Sequence, residues 1–248
     1  PAAGGWVDEI RWRILPVGET ALQALLAGEI DFYDRLSAEE YSGERTASDG
    51  FRSRFYTGYY FTPYMSLTAW NLKRPELADV RVRRALAMSF DFEAYIAGYY
   101  DGLALQVTGE QWYPTPSYDR TLAPLAFDPS GAQELLAAAG WYDRDGDGLV
   151  DRGGEPLALE LLTPSGNEAG LAFAQLYQES LEAIGVGLDI RTLEFAALRE
   201  RVNERDFEAV NLGLVLDFES DPEQLWHSRW SDGPSSNRAG LADTEIDE

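Results

Sequence analysis

The chain has no cysteine, a single histidine and two methionines, and Lys73 is its only lysine. Without cysteine there is no disulfide, no zinc–thiolate site and no thiol nucleophile. A lone histidine, His227, offers no imidazole pair, and its neighbour Ser228 is too close in sequence to make a relay with it. No Gly-rich phosphate loop is present. No apolar run reaches the roughly 20 residues of a membrane span, and no signal-peptide pattern opens the chain. Positive charge is scarce as well: 43 acids against 20 bases leave a net charge of −23. That balance argues against nucleic acid, whose phosphates need Lys and Arg, and against anionic membrane surfaces. It reads as a solubility device.

What is present is enough for a folded protein. At 248 residues, 45% hydrophobic and 12% aromatic, the chain can bury a core. Val7 to Leu15 alternates Ile10, Trp12 and Ile14 with Glu9, Arg11 and Arg13, a half-buried strand pattern. The spacing predicts a helix over 18–27, a short strand from Ile30 to Phe32, and a short helix with loop over 37–48. Strands are expected at 51–56 and 59–67. Asp79 and Asp91 should open two short helices, 79–88 and 92–100, and Asp128-Pro129 another that stops at Gly140. Residues 108–124 are too rich in Pro, Tyr and Thr for regular structure. Strands at 157–162, 186–193 and 207–216 then alternate with helices at 168–184 and 195–203. The last strand is nearly continuously apolar, as in a sheet covered on both faces. The class is therefore α/β.

Residues 64–116 carry the strongest family signal. An apolar strand ends in Asn71, a turn through Lys73, Arg74 and Pro75 follows, then Asp79-Val80-Arg81-Val82-Arg83-Arg84-Ala85-Leu86, then an aromatic loop closing on Pro114 and Pro116. Further elements follow in order: Phe127-Asp128-Pro129 to Gly140-Trp141, residues 176–188, Asp206 to Asp217, and Asp221-Pro222 with Trp226-His227-Ser228, Asn237 and Ile246-Asp247. Together they resemble the family 5 extracellular solute-binding proteins, the dipeptide and oligopeptide receptors of ABC importers. The resemblance implies an α/β lobe like that of type II periplasmic binding proteins, a mixed sheet flanked by helices, with a partial segment of the other lobe. It divides the chain into 1–67, a late piece of the first lobe, and 68–248, a truncated second lobe. Both ends then read as cut from something longer. It also implies a monomer outside the cytoplasm, periplasmic or lipid-anchored, that hands a peptide or similar polar solute to a membrane permease, with no enzyme activity and no required cofactor.

The same resemblance places Asp217, at the end of the last apolar strand, where relatives pair a carboxylate with the ligand's α-ammonium. Asp221 is the runner-up, because its Asp-Pro step is shifted by one residue. Asn211 stands where some relatives carry an arginine for the ligand's carboxylate, and a neutral amide lacks that bidentate fork. Leu214 stands where an aromatic is frequent. Trp112, Tyr113 and Tyr118 could wall the cleft or simply pack under their loop. Asp143, Asp145, Asp147 and Asp151, with Gly146 and Leu149, match most of an EF-hand calcium loop, although Gly154 replaces the final glutamate and Glu155 comes one residue late. Calcium there would be structural. Two other classes stay open: a hydrolase using a carboxylate pair, and a calcium-stabilised interaction domain.

Overall fold

A computed structural model describes residues 7–15, 18–218 and 221–247. The chain forms two compact units. Of the described residues, one comprises those up to Tyr59 together with Ala94–Leu105; the other comprises Tyr60–Glu93 and those from Gln106 onward. The expected division at 67/68 falls inside a strand that is paired along its whole length within the second unit.

The first unit is helical. Helix α1 (Gly18–Leu26) is followed by three short turns of helix, α2 (Ala38–Ser42), α3 (Glu44–Ala47) and α4 (Asp49–Arg52). Leu22 and Leu25 of α1 bury against Phe51 of α4, with Ile30, Tyr33, Leu36 and Phe55 packed around them. Reciprocal hydrogen bonds fix the start of α2: Glu40 N donates to Ser37 Oγ (3.1 Å) and Ser37 N to the Glu40 carboxylate (2.9 Å). Three expected strands are absent here. Residues 51–56 instead begin in α4, because Ser48 Oγ accepts from Phe51 N and captures the aromatic run as a helix start. Ile30–Phe32 is irregular, with Ile30 packed on the α1 cluster. Residues 7–15 also form no strand, and Trp12 and Ile14 are 85% and 93% exposed. Alternation only prepares a face; a strand also needs a neighbour to satisfy its backbone groups, and no described strand pairs with this segment.

The second unit is built on a four-stranded mixed sheet. Its strands are β1 (Tyr64–Trp70), β4 (Ala158–Pro164), β5 (Gly187–Leu193) and β6 (Ala209–Val215), in the order β1-β6-β4-β5. β4, β5 and β6 are parallel and β1 is antiparallel to β6. Crossovers run through α8 (Glu168–Glu182) and α9 (Phe195–Asn203). Helix α9 covers one face through Leu198 and Val202, which bury against Ala69, Leu162, Phe207 and Val210. On the other face α8 packs against β4 and β5. The Tyr177 hydroxyl of α8 donates to Leu86 O (2.8 Å) of α5 (Val80–Met88), which itself packs on α7 (Pro129–Ala138). Phe90, Phe92, Phe173 and Tyr177 form one aromatic cluster with centroids 4.8–6.3 Å apart. Phe92 opens α6 (Phe92–Tyr100). The small hairpin β2 (Asp151–Arg152) and β3 (Glu155–Pro156) precedes β4, and a short α10 (Glu223–Trp226) precedes the final loops. Gly185, at φ +80°, ends the turn after α8, where Val186 N returns to Leu181 O. β6 departs from its expected burial. Ala209 to Asn211 are buried, but beyond them burial alternates, so only the start of the strand is covered on both faces.

The strand ends are joined by a buried amide. Asn71 is 1% exposed. Its Nδ2 donates to Phe207 O (2.8 Å) and Arg205 O (3.0 Å), and its Oδ1 accepts from Lys73 N (3.1 Å). Replacing it by alanine strips a partner from three backbone groups, of which Phe207 O keeps Arg74 Nε (3.2 Å) and the other two are orphaned. Asn71→Ala is expected to lower unfolding free energy by about 3 kcal/mol, since each orphaned group costs roughly 1–3 kcal/mol; a loss below about 1 kcal/mol in urea titration would contradict this account.

Asp79 caps α5, accepting from Arg81 N (2.9 Å). Hydrogen bonds from the Arg81 side chain, then its backbone, lower the Asp79 pKa to about 2. The capping contribution is therefore present above the ordinary carboxyl pKa and disappears as pH falls through about 2. Asp79→Ala should cost about 1 kcal/mol at neutral pH, and melts of variant and parent should converge in strong acid.

Candidate functional site

The parallel strands end at Pro164, Leu193 and Val215, and β1 begins beside the last of these, with Tyr64 opposite Val215. One more ladder bond, Leu216 N to Pro63 O (2.8 Å), extends the β1–β6 ribbon past the strand end. Asp217 follows directly and is exposed. In open α/β sheets this carboxyl edge is where loops gather into a binding crevice.

The aromatic loop reaches the same edge. Trp112 Nε1 donates to Phe61 O (3.2 Å), and the Tyr113 ring lies 4.9 Å from that of Phe61. Tyr118 is buried behind them, 5.1 Å from Tyr113, and its hydroxyl accepts from Thr108 N (3.0 Å). Arg120 completes the stack. Its guanidinium carbon sits 4.3 Å from the Tyr113 ring centroid and Nη2 donates to Tyr113 O (2.8 Å). Tyr118 is thus a packing residue, while Trp112 and Tyr113 remain half-exposed at the rim. Since Phe61 and Pro63 are two residues apart, Trp112, Tyr113 and Asp217 converge on one end of one ribbon.

Asn211 and Asp221 are held differently. Asn211 is 8% exposed. Its Oδ1 accepts from Thr68 Oγ1 (2.9 Å) on the paired strand, and its Nδ2 faces Gly170 O (3.4 Å) in the first turn of α8. Its amide is thus spent on joining β1, β6 and α8. Asp221 Oδ1 accepts from Glu223 N (3.0 Å) at the start of α10. Leu214 lies on the face that carries Leu212 and Val210 toward α9. Sequence reading missed Phe61, Tyr64, Thr68 and Arg120. Only the strand alternation that puts Tyr64 and Thr68 on one face could have pointed to two of them.

His227 and Ser228 hold the late loop. Ser228 N donates to Asp247 Oδ1 (2.8 Å), which lowers the Asp247 pKa, and His227 Nδ1 accepts from Arg229 N (3.2 Å). Asn237, fully buried, ties Leu241 N and Leu241 O to one amide (3.0 and 2.8 Å). Arg205 donates to Asn237 O (2.9 Å) and Arg238 O (3.0 Å).

In the acidic loop, carboxylate oxygens of Asp143, Asp145 and Asp147 lie within 4.8 Å of one another, all exposed. Asp143 accepts from Gly146 N (2.8 Å) and Gly148 N (3.2 Å), so the turn holds its own shape. These three carboxylates, with Leu149 in sequence, fit the first part of a calcium loop. Asp151 does not join them: Oδ1 accepts from Arg144 Nη1 (2.6 Å) and Oδ2 from Arg144 N (3.2 Å). A guanidinium beside it satisfies the charge that calcium would otherwise take.

With this geometry, the chain can be set beside known proteins. A family model described as bacterial extracellular solute-binding proteins, family 5, middle, matches residues 4–237. The oligopeptide-binding protein AppA of Bacillus subtilis is 28% identical over 235 residues, covering 90% of this chain and 41% of AppA. A probable di/tripeptide-binding protein of Pseudomonas aeruginosa is 28% identical over 229 residues, covering 91% of this chain and 40% of its own length. The structure of AppA in complex with a nonapeptide superposes with a TM-score of 0.69 at 26% identity, covering 94% of this chain and 46% of AppA. The chain spans less than half the length of these relatives. The proteins of the matching family are binding proteins, and no helix among the described residues is long and apolar enough to cross a membrane. The chain belongs to the family 5 bacterial extracellular solute-binding proteins.

Proposed function

We propose that the chain is part of the substrate-binding component of an ABC importer that captures peptides outside the cytoplasm, in the periplasm or on a lipid anchor, and delivers them unchanged to a membrane permease. The first unit then belongs to one lobe of a two-lobed receptor and the second to the other. Capture works by lobe closure, the ligand shifting the population toward the closed form by bridging both walls. The observation that carries this reading is the convergence of Asp217, Trp112 and Tyr113 on the carboxyl edge of a sheet from this family. A carboxylate at that edge gains strongly from a cation once closure expels water, so Asp217 takes the ligand's ammonium. Asn211 supports the wall from within, and Asp221 caps the start of α10. With Asn211 bonded to Thr68 and α8, the ligand's carboxylate is held elsewhere in the receptor. The reading is non-enzymatic.

Incubating the two-lobed protein with a peptide mixture and identifying what it retains tests the proposal. Intact peptides are expected; cleaved ones would point to a hydrolase instead. Asp217→Asn should weaken binding of peptides with a free amino terminus about tenfold, about 1.4 kcal/mol, and leave N-acetylated peptides unaffected. An equal loss for both kinds would remove the ammonium role.

Calcium, in this reading, serves only stability, held by Asp143, Asp145 and Asp147. Exchange of calcium for chelator should lower the melting temperature without changing peptide capture. An unchanged melting temperature would remove the ion from the account.

A further inference from the structure

Gly213 of β6 has a tyrosine lying across it. A side chain at this position would place its first carbon 1.9 Å from the Tyr64 hydroxyl oxygen and 2.5–2.7 Å from the ring carbons. The phenol therefore leans from its own position opposite Val215 toward the diagonal neighbour, and only a glycine leaves room for it. The hydroxyl end of the side chain rests against the strand at Gly213. The residue is nevertheless 52% exposed, so much of the ring is open. Around it the carboxyl edge carries further uncovered apolar surface: Phe61 at 40%, Phe218 at 64% and Val215 at 81% exposure. The opposite face of the same ribbon behaves differently, with Leu67, Val210 and Leu212 packed under α9. Apolar side chains gathered at a solvent-facing edge mark a surface that something covers.

We infer that Tyr64, seated on Gly213, is a stacking platform that gives the receptor a preference for peptides carrying an aromatic side chain. The inference rests on the reading of the chain as part of a peptide receptor. The hydroxyl end of the side chain is seated against the strand at Gly213, so an incoming aromatic meets a pre-positioned partner and little ordering entropy is lost. Val215 and Phe61 extend the apolar contact on either side. A cationic side chain fits less well, because the ring leans away from Asp217. Along β6, Asp217 lies four residues beyond Gly213, about 13 Å at strand spacing. The ammonium site and the platform are therefore separate stations along one edge, far enough apart for an extended peptide to reach both.

The test compares the two-lobed protein with Tyr64→Phe, Tyr64→Ala and Gly213→Ala, each exposed to the same mixed proteolytic digest. The readout is the ratio of aromatic-bearing to purely aliphatic peptides retained, with melting temperature followed in parallel. The parent and Tyr64→Phe should enrich aromatic peptides. Tyr64→Ala and Gly213→Ala should lower the enrichment at least fivefold while still capturing aliphatic peptides. A loss of stability with an unchanged ratio would show that the ring merely covers a glycine or packs against the rest of the receptor, and would overturn the inference. Enrichment of cationic peptides by the parent would overturn it too. If the parent retains peptides, a flat ratio sinks the platform alone; if it retains none, the receptor reading falls and the platform with it.

Discussion

The second unit depends on one buried amide. A mixed sheet with an antiparallel edge strand must bring the end of β1 beside the start of β6, although more than a hundred residues separate them in sequence. Asn71 does this with a side chain that reads three backbone groups at once. Its partner segment is itself unusual, since Arg205 adopts a positive φ of 57° and sends its guanidinium into the late loop. Burial lowers the Arg205 pKa; carbonyls of Trp230, Asn237 and Arg238 accept from its Nη groups, while its buried Nε finds no partner. Two buried asparagines and one arginine thus hold the strand ends and residues 227–241 together without a disulfide.

That arrangement explains what could be read in advance. Wherever one local signal sufficed, the expected element is present. Asp79 and Asp128 cap α5 and α7 as their positions suggest. α6 and α9 occupy the expected spans, and β5 and β6 lie within theirs. The failures come where a strand needs a partner or where two local signals compete. Residues 7–15 have the alternation but no described neighbour. Residues 51–56 have aromatic, strand-like content, but Ser48 is a stronger instruction because it satisfies a helix N–H directly.

The site was legible in type more than in detail. The family resemblance singled out Asp217 at the end of an apolar strand, and the structure sets that residue just past the last ladder bond. Asn211, which stands where some relatives carry an arginine, spends its amide on a cross-strand link. Nothing in a linear pattern distinguishes an amide that faces solvent from one that meets Thr68 on another strand and Gly170 on a helix. The acidic loop shows the same limit. Spacing alone made Asp151 equivalent to Asp143, Asp145 and Asp147, whereas Arg144, inside the same motif, draws it away.

The two faces of the β1–β6 ribbon show how fold and site share one element. Period-two alternation sends Val210 and Leu212 into the α9 core, so their neighbours Asn211 and Gly213 must face the other way. Near the start of β6 that second face is closed by α8, and polarity there has to be satisfied internally, as the Asn211 bonds do. Two residues later the helix no longer covers the sheet, and Gly213 is exposed except for the tyrosine lying on it. The transition from structural amide to exposed ring occurs within one strand because the α8 first turn ends the cover there. Without that first turn Asn211 would lose its Gly170 partner, so the place where β4 hands over to α8 sets where the polar link ends and the open edge begins.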